Sequence, residues 1–250
     1  MTDQIPAGKT KPHRLKILSY NVHSCVGTDR RLDPARVAQV IAALKPDVIG
    51  LQELDVGRSR TGGIDQAQTI AELLSMEYHF HAALTVAEER YGDAILTTLP
   101  ARLLKSDVLP SRGEQRGALA VELSLDGRTL KVVNTHLGLR SADRRAQMDA
   151  LLGPDWLAHP EWRDAPRILI GDLNSTPLTR TYRTAASRYR DAHAAAHPKP
   201  RATFPSRFPL LRLDHIFVST DINSIEARVV STPLSRLASD HLPLLVTVEV

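Results

Sequence analysis

Six short segments end an apolar run with an Asn, Glu, Asp or His side chain. They are Tyr20-Asn21, Gln52-Glu53, Asn134-Thr135-His136, Gly171-Asp172-Leu173-Asn174, Asp214-His215 and Ser239-Asp240-His241. A single polar residue after a strand is ordinarily a turn former or a cap. Together, however, carboxylates, amides and imidazoles can bind a hard cation, activate water and donate hydrogen bonds to the oxygens of a phosphoester. The set therefore marks a candidate functional site.

The elements around these segments predict strands interleaved with helices. Leu15 to Tyr20 and Asp47 to Gln52 are predicted as strands, and the second delivers Glu53 to its carboxyl end. Asp33 can cap a helix between them that begins at Pro34. Further strands are expected at Tyr78 to Ala82, Ala94 to Thr98, Arg102 to Leu109, Arg167 to Ile170, Leu213 to Ser219 and Leu244 to Val250. Polar residues at such strand ends face the crevice in which layered α/β folds bind ligands.

The hairpin is the clearest β signal in the chain. Leu119 to Leu125 alternates apolar and polar residues, Asp126-Gly127 is a favoured two-residue turn, and Thr129 to Thr135 leads back toward His136. Additional helices are expected at Gln66 to Leu74, Ser141 to Leu152 and Pro177 to Ser187, and a loop at His193 to Pro209. The pattern predicts an α/β fold in which two mixed sheets pack face to face between helices.

Composition limits the class of protein without naming a function. The 250 residues carry a formal net charge of +4 and a single cysteine, Cys25, which excludes an internal disulfide. Residues 1–13 are polar and are expected to form a disordered tail before one domain at residues 14–250. The absence of a long apolar run at the start predicts a cytoplasmic protein.

Taken in order, the motifs LSYNVH, LQE, NTHLG, GDLNSTP, LDHIF and SDHLP resemble the endonuclease/exonuclease/phosphatase superfamily, which includes DNase I and abasic-site endonucleases. The resemblance spans Leu15 to Val250. It implies a DNase I-like four-layer α/β sandwich and hydrolysis of phosphoester bonds with Mg²⁺, for which Mn²⁺ can substitute. An RSRTGGIDQ-like loop, an RGALAVEL-like strand and a TFPSRFPLLRLDHIF-like segment further resemble a small bacterial branch of that superfamily.

The resemblance also implies roles for the residues in these motifs. Glu53 is the first expected metal ligand, with Asp240 and the amide oxygen of Asn21 as companions, because Mg²⁺ prefers oxygen ligands. His241 is expected to contact the scissile phosphate and to pair with Asp214.

The remaining members of the motifs are expected to act on water and on the phosphate. Asp172 is predicted to activate the attacking water, and His241 is the alternative base. Asn174 and His136 are predicted to donate hydrogen bonds to the phosphate.

Five more residues are predicted to contact substrate: Arg58, Arg60, Tyr91, Asp93 and Arg116. Guanidinium groups bind phosphate oxygens with forked donors. Asp93 departs from the family pattern, which has an asparagine there, and a carboxylate cannot donate to phosphate. It could instead bind metal, orient His136, hold a substrate hydroxyl or amine, or only cap a turn.

The substrate stays open at the level of sequence. A phosphodiesterase is the preferred interpretation, and the alternatives are a DNA nuclease, a sphingomyelinase-like lipid phosphodiesterase, a sugar or inositol phosphomonoesterase, and a phosphate-binding protein without catalysis. The partner is thus a phospholipid headgroup, a nucleic acid or a small phosphate ester. A peripheral membrane contact could involve Phe204, Phe208, Leu210 and Leu211. No protein partner is implied.

Overall fold

The computed structural model describes residues 12–250. The first eleven residues of the expected tail lie outside the described residues. The strands form two six-stranded sheets. In chain order they are β1 (Arg14–Asn21), β2 (Val48–Val56), β3 (Glu77–Val86), β4 (Glu89–Thr97), β5 (Ala101–Leu109), β6 (Arg116–Leu125), β7 (Arg128–His136), β8 (Arg167–Asp172), β9 (Arg190–Asp191), β10 (Asp214–Val218), β11 (Asn223–Val229) and β12 (Leu244–Glu249).

The helices flank these sheets. They are α1 (Pro34–Ala42), α2 (Gln66–Leu74), α3 (Ser141–Leu151), α4 (Arg180–Ala186), α5 (Ala192–Ala196) and α6 (Pro233–Ala238). The local signals explain their starts: Asp33 accepts a hydrogen bond from Arg36 N at 2.8 Å, and Asp65 caps α2 in the same way. The predicted helix at Gln66 to Leu74 is confirmed residue for residue.

Both sheets are mixed and are built alike. The first has the order β11-β12-β1-β2-β4-β3 and the second the order β5-β6-β7-β8-β10-β9. Each contains one parallel pair, β1 with β2 and β7 with β8, whose crossover contains a helix. All other pairings are antiparallel, including the predicted hairpin of β6 and β7.

Alternating side chains divide the core into three apolar layers. Ile17 of β1 and Ile170 of β8 lie between the sheets. Ile49 of β2 packs outward against α1 and α2, and Leu169 of β8 packs outward against α3. The predicted fold class, two mixed sheets packed face to face and flanked by helices, is confirmed.

Several boundaries differ from the sequence prediction. Tyr91, Gly92 and Asp93 were expected just before a strand but lie inside β4, where they pair with both neighbouring strands. The expected loop after His193 begins with the short helix α5, and β11 and α6 were not predicted. These elements have weak local periodicity, because β11 is an edge strand and α6 spans only six residues.

Candidate active site

The candidate catalytic side chains continue the apolar faces that pack between the two sheets. In β8, Ile168 and Ile170 lie in that layer, and Asp172 is the next residue on the same face. In β10, Asp214 is the first residue, and Ile216, two positions later on the same face, lies in that layer. The pairing register places Asp172 opposite Asp214 on one side and opposite His136 on the other. Three separate motifs therefore meet at one sheet end.

Glu53 reaches the site through an irregularity in β2. The pairing of β2 with β4 shifts between Leu51 and Leu54, and Glu53 has a φ of 62°, which is uncommon for a residue with a side chain. A bulge of this kind re-aims a side chain and is a frequent device beside active sites. The Glu53 carboxylate accepts a hydrogen bond from Asn21 Nδ2 at 2.8 Å.

Asp172 lies at the centre of the site. Its carboxylate accepts hydrogen bonds from Asn21 Nδ2 at 3.0 Å and from the backbone N–H of Asn174 at 2.8 Å. His136 Nε2 and His241 Nε2 approach the same Oδ2 atom at 3.5 Å and 3.6 Å. Burial raises the pKa of Asp172, and the charge of His241 partly offsets that rise.

His241 forms a close pair with Asp214, with 2.8 Å between Nδ1 and Oδ2. Burial alone would lower the pKa of His241, but the carboxylates of Asp214 and Asp172 outweigh it and raise the pKa to about 10. Ser239 fixes the backbone here, because its hydroxyl accepts from His241 N and donates to Asn21 O. His241 therefore presents a cationic Nε2–H beside Asp172.

His136 has the opposite electrostatic setting. Arg116 Nη1 lies 2.8 Å from His136 Nδ1, and a guanidinium can only donate, so Nδ1 is the unprotonated nitrogen. Burial lowers the pKa of His136 well below its usual value, and the positive charges of Arg116 and His241 lower it further. The imidazole is thus neutral, with its proton on Nε2. The Asn174 amide nitrogen donates to Leu137 O, and its 3.1 Å approach to His136 Nε2 is a contact between two N–H donors and not a hydrogen bond.

The oxygen donors fit a hard divalent cation. Glu53 and Asp240 both line the pocket, and carboxylates are the ligands Mg²⁺ prefers. Asn21 is oriented differently from the expectation: its amide nitrogen faces Glu53 and Asp172, and its amide oxygen accepts from His23 N at 3.0 Å. Its role as a metal ligand stays a prediction.

A second cluster has metal-ligating types. Ligand atoms of Asp172, Asp214 and His241 lie within 4.8 Å of one another. Asp214 and His241 already satisfy each other through their hydrogen bond, and a nitrogen ligand suits Mg²⁺ less well than oxygen. Glu53 and Asp240 therefore stay the predicted cation ligands.

A pocket of about 630 Å³ joins most of the predicted residues. Ten of them line it: Glu53, Arg58, Arg60, Tyr91, Arg116, His136, Asp172, Asn174, Asp240 and His241. Asn21, Asp93 and Asp214 are buried at 0%, 2% and 0% exposure and support the lining from behind. The structure thus brings together residues that are up to 220 positions apart in sequence, from Asn21 to His241.

Asp93 belongs to the interior of β4, so the idea that it only caps a turn is not supported by the structure. Burial raises its pKa to about 7, while Arg116 and the backbone N–H of Glu53 favour the charged form. Its place behind the pocket suits a supporting role toward Arg116 better than direct contact with substrate.

Some pocket residues were missed by the sequence reasoning. His23, Glu114 and Leu139 line the pocket. His23 is the last residue of the LSYNVH motif and Leu139 directly follows NTHLG, so membership of a motif or proximity to one was the available signal. Phe204 was considered as a membrane contact, but its ring lies 4.8 Å from that of His241. By contrast, Phe208 and Leu210 of the same segment are 77% and 79% exposed.

The fold and the site define a class before any comparison: a two-sheet sandwich whose strand ends hold an acid, two imidazoles and cation ligands for phosphoester hydrolysis. Comparison with known families agrees. The Endonuclease/Exonuclease/phosphatase family model matches residues 18–241. The chain belongs to this family, whose members hydrolyse phosphoester bonds.

Relatives cover nearly the whole chain. The Escherichia coli K12 protein YbhP, itself uncharacterised, is 27% identical over 94% of this chain and 96% of its own length. An endonuclease/exonuclease/phosphatase from Beutenbergia cavernae has a TM-score of 0.76 at 22% identity, covering 95% of this chain and 72% of that one. A mannosyl-6-phosphatase from Bacteroides thetaiotaomicron has a TM-score of 0.75 at 20% identity, covering 94% and 99%.

Membrane insertion by a helix has no support in the structure. Within residues 12–250, none of the helices combines the length and apolarity required to cross a bilayer.

Proposed function

We propose that this protein is a Mg²⁺-dependent phosphodiesterase in which Asp172 activates the attacking water. The observation that carries the proposal is the placement of Asp172 between two imidazoles of opposite character, 3.5 Å from neutral His136 and 3.6 Å from cationic His241. A general base and two phosphate donors at such distances are what hydrolysis of a phosphoester requires.

The protonation states support Asp172 as the base. His241 is held protonated at neutral pH by Asp214 and Asp172, so it has no free lone pair with which to accept a proton. Asp172 keeps acceptor sites beyond its hydrogen bonds to Asn21 and Asn174, and its raised pKa brings it closer to the working pH. Asp172 therefore orients water and takes its proton.

The phosphate oxygens are held by the chain's donors. His241 Nε2–H and His136 Nε2–H lie on two sides of the Asp172 carboxylate, and Arg116 fixes the tautomer that gives His136 its donor. Asn174 Nδ2 lies beside His136 and extends the same row of donors. Mg²⁺ at Glu53 and Asp240, with Mn²⁺ as a substitute, would neutralise charge that develops on the phosphate oxygens.

The pocket volume supports a phosphodiester substrate, but less directly than the side chains support hydrolysis. A volume of about 630 Å³ exceeds the need of one phosphate and leaves room for substituents on both ester oxygens of a diester. A sugar phosphomonoesterase is the second candidate. The structural similarity to a mannosyl-6-phosphatase favours it, because that protein has the same fold over nearly its full length.

The test is release of p-nitrophenol from bis-p-nitrophenyl phosphate and from p-nitrophenyl phosphate in Mg²⁺, Mn²⁺ or EDTA, with Asp172→Asn as the blank. Metal-dependent cleavage of the diester that is lost in the variant is the expected result. Preference for the monoester would replace the first candidate by the second. Equal rates in the variant and the wild type would refute Asp172 as the base.

A further inference from the structure

Three arginines surround one tyrosine ring in the candidate pocket. The guanidinium carbons of Arg58, Arg60 and Arg116 lie 5.9, 5.6 and 6.0 Å from the centroid of the Tyr91 ring. All four side chains line the same pocket as Asp172. We refer to these four residues as the Tyr91 arginine cluster. It combines three positive charges on a rigid platform, which is a way to recognise an anion.

Carboxylates lie beside all three guanidinium groups, but they engage them unequally. The buried carboxylate of Asp55 is engaged by Arg60 through two hydrogen bonds of 2.7 Å. Arg58 lies near the same carboxylate, but its Nη1 is 3.8 Å away, and its Nε is 3.6 Å from Glu89. Both separations exceed hydrogen-bond distance. Arg58 is therefore ion-paired with two carboxylates, and neither pairing reaches hydrogen-bond distance.

Arg58 also has an unused donor. Its Nε is buried without a hydrogen-bond partner among the described residues, and the Nε of Arg116 is in the same condition. Arg36, Arg144, Arg167 and Arg212 also have a buried Nε without a partner, so this feature alone does not mark a ligand site. Arg58 and Arg116 differ from those four because they line the pocket, where a bound anion can accept hydrogen bonds from their terminal nitrogens.

Arg116 connects the cluster to the proposed phosphate site. One of its terminal nitrogens donates to His136, and the other lies 3.0 Å from Glu114, whose side chain is 51% exposed. An anion on the Tyr91 arginine cluster is therefore one side chain away from a phosphate held by His136.

We propose that the Tyr91 arginine cluster binds a second anionic group of the substrate, so that the substrate is a compact phosphoester that also carries a phosphate or carboxylate. This assignment rests on the proposed function, since it takes the His136 and His241 side as the place of the scissile phosphate. The pocket volume of about 630 Å³ is in the range that small ligands occupy.

The test measures binding to the metal-free protein by titration calorimetry in EDTA. The probes are propyl phosphate, propane-1,3-diyl bisphosphate and 3-(phosphonooxy)propanoate, which share a chain length and differ in the second group. The bisphosphate is expected to bind about tenfold more tightly than propyl phosphate, the gain of one charge-assisted contact. An equal gain for the carboxylate would identify either anion as acceptable, and no gain for the carboxylate would identify a second phosphate.

Variants locate the effect. In Arg58→Gln, the ratio of the two dissociation constants should fall toward one, and Arg58→Lys should retain part of it. Arg90→Gln is the matched control, because Arg90 also lies over an aromatic ring, that of Phe80, but does not line the pocket. A ratio near one in the wild type, or a ratio unchanged in Arg58→Gln, would overturn the proposal.

The same experiment separates this inference from the proposed function. Asp172→Asn should keep the preference for bisphosphate although its turnover is lost, because the preference depends on binding alone. If the wild type hydrolysed no phosphoester but kept the preference, the hydrolase would be refuted and the anion site would stand. If the wild type hydrolysed phosphoesters but showed no preference for the bisphosphate, the anion site would be refuted and the hydrolase would stand.

Discussion

Strand β10 carries two neighbouring residues, Asp214 and His215, that enter two different histidine–aspartate pairs on opposite faces of the sheet. Asp214 pairs with His241 at 2.8 Å. His215 lies 3.7 Å from Asp191 through Nδ1, and its Nε2 bonds to the backbone oxygen of Ser175 at 2.8 Å.

The difference lies in the second ring nitrogen. In His241, this nitrogen is Nε2, and it lies beside Asp172 in the pocket. In His215, Nε2 donates a hydrogen bond to the backbone oxygen of Ser175, and the His215 ring is fully buried against Tyr182 and Phe217. The same pair of residue types therefore lies at the candidate active site in one place and in a packed layer in the other. The two pairs differ because only His241 keeps a ring nitrogen that is available to a ligand.

The largest expected effect comes from Asp172, the pocket carboxylate beside His241, which has no counterpart beside His215. Asp172→Asn should lower kcat by about 10³-fold, because the amide cannot accept a proton from water. Steady-state hydrolysis of bis-p-nitrophenyl phosphate measures it, with the thermal midpoint as the check on folding. A loss below about tenfold would show that Asp172 is not the base.

The next effect compares the two aspartates. Asp214→Asn should lower kcat by on the order of 10²-fold, because the pKa of His241 falls from about 10 toward its ordinary value near 6.5 and the imidazolium is lost at neutral pH. Titration of the His241 ring by NMR checks the shift. An unchanged His241 pKa in Asp214→Asn would contradict the pairing as its cause.

The other aspartate should affect stability instead of turnover. Asp191 accepts from Tyr182 at 2.7 Å and from the backbone N–H of Ala194 at 3.0 Å, and it pairs with Arg212. Asp191→Asn leaves Arg212 without its counter-charge and should destabilise the fold by about 3 kcal/mol. Urea unfolding measures the change. A loss of kcat at unchanged stability would place Asp191 in the site.

The smallest effect is a pH dependence near the Asp191 network. Burial lowers the pKa of His193 to about 4, with the charge of Arg212 acting in the same direction. The unfolded chain then binds more protons than the folded one between about pH 6.5 and 4, so stability falls as the pH falls through that window. His193→Gln should reduce this slope in urea unfolding between pH 7 and 4. An unchanged slope would assign the dependence to other groups.

Features that depend on neighbouring residues were predictable from the sequence. The contrast between the two histidine–aspartate pairs was predictable only in part. Asp33 before Pro34 and the Asp126-Gly127 turn act within a few residues, so α1 and the hairpin were predicted correctly. The motifs identified which strand ends meet. His215 was given no catalytic role from the sequence, and in the structure it is fully buried and packs against Tyr182 and Phe217.

The remaining features depend on contacts between distant residues. The bulge that aims Glu53 arises from pairing with β4, and the orientation of the Asn21 amide depends on Glu53, Asp172 and His23. The placement of Asp93 inside β4 likewise needs both neighbouring strands. No local propensity carries that information.

The most direct test of the contrast compares His241→Gln with His215→Gln in one experiment, measuring kcat on bis-p-nitrophenyl phosphate and the free energy of unfolding in urea. We expect His241→Gln to lose turnover by on the order of 10²-fold with little change in stability, and His215→Gln to lose stability by about 2 kcal/mol while its folded fraction stays active. Equal loss of turnover in the two variants at equal stability would contradict the account.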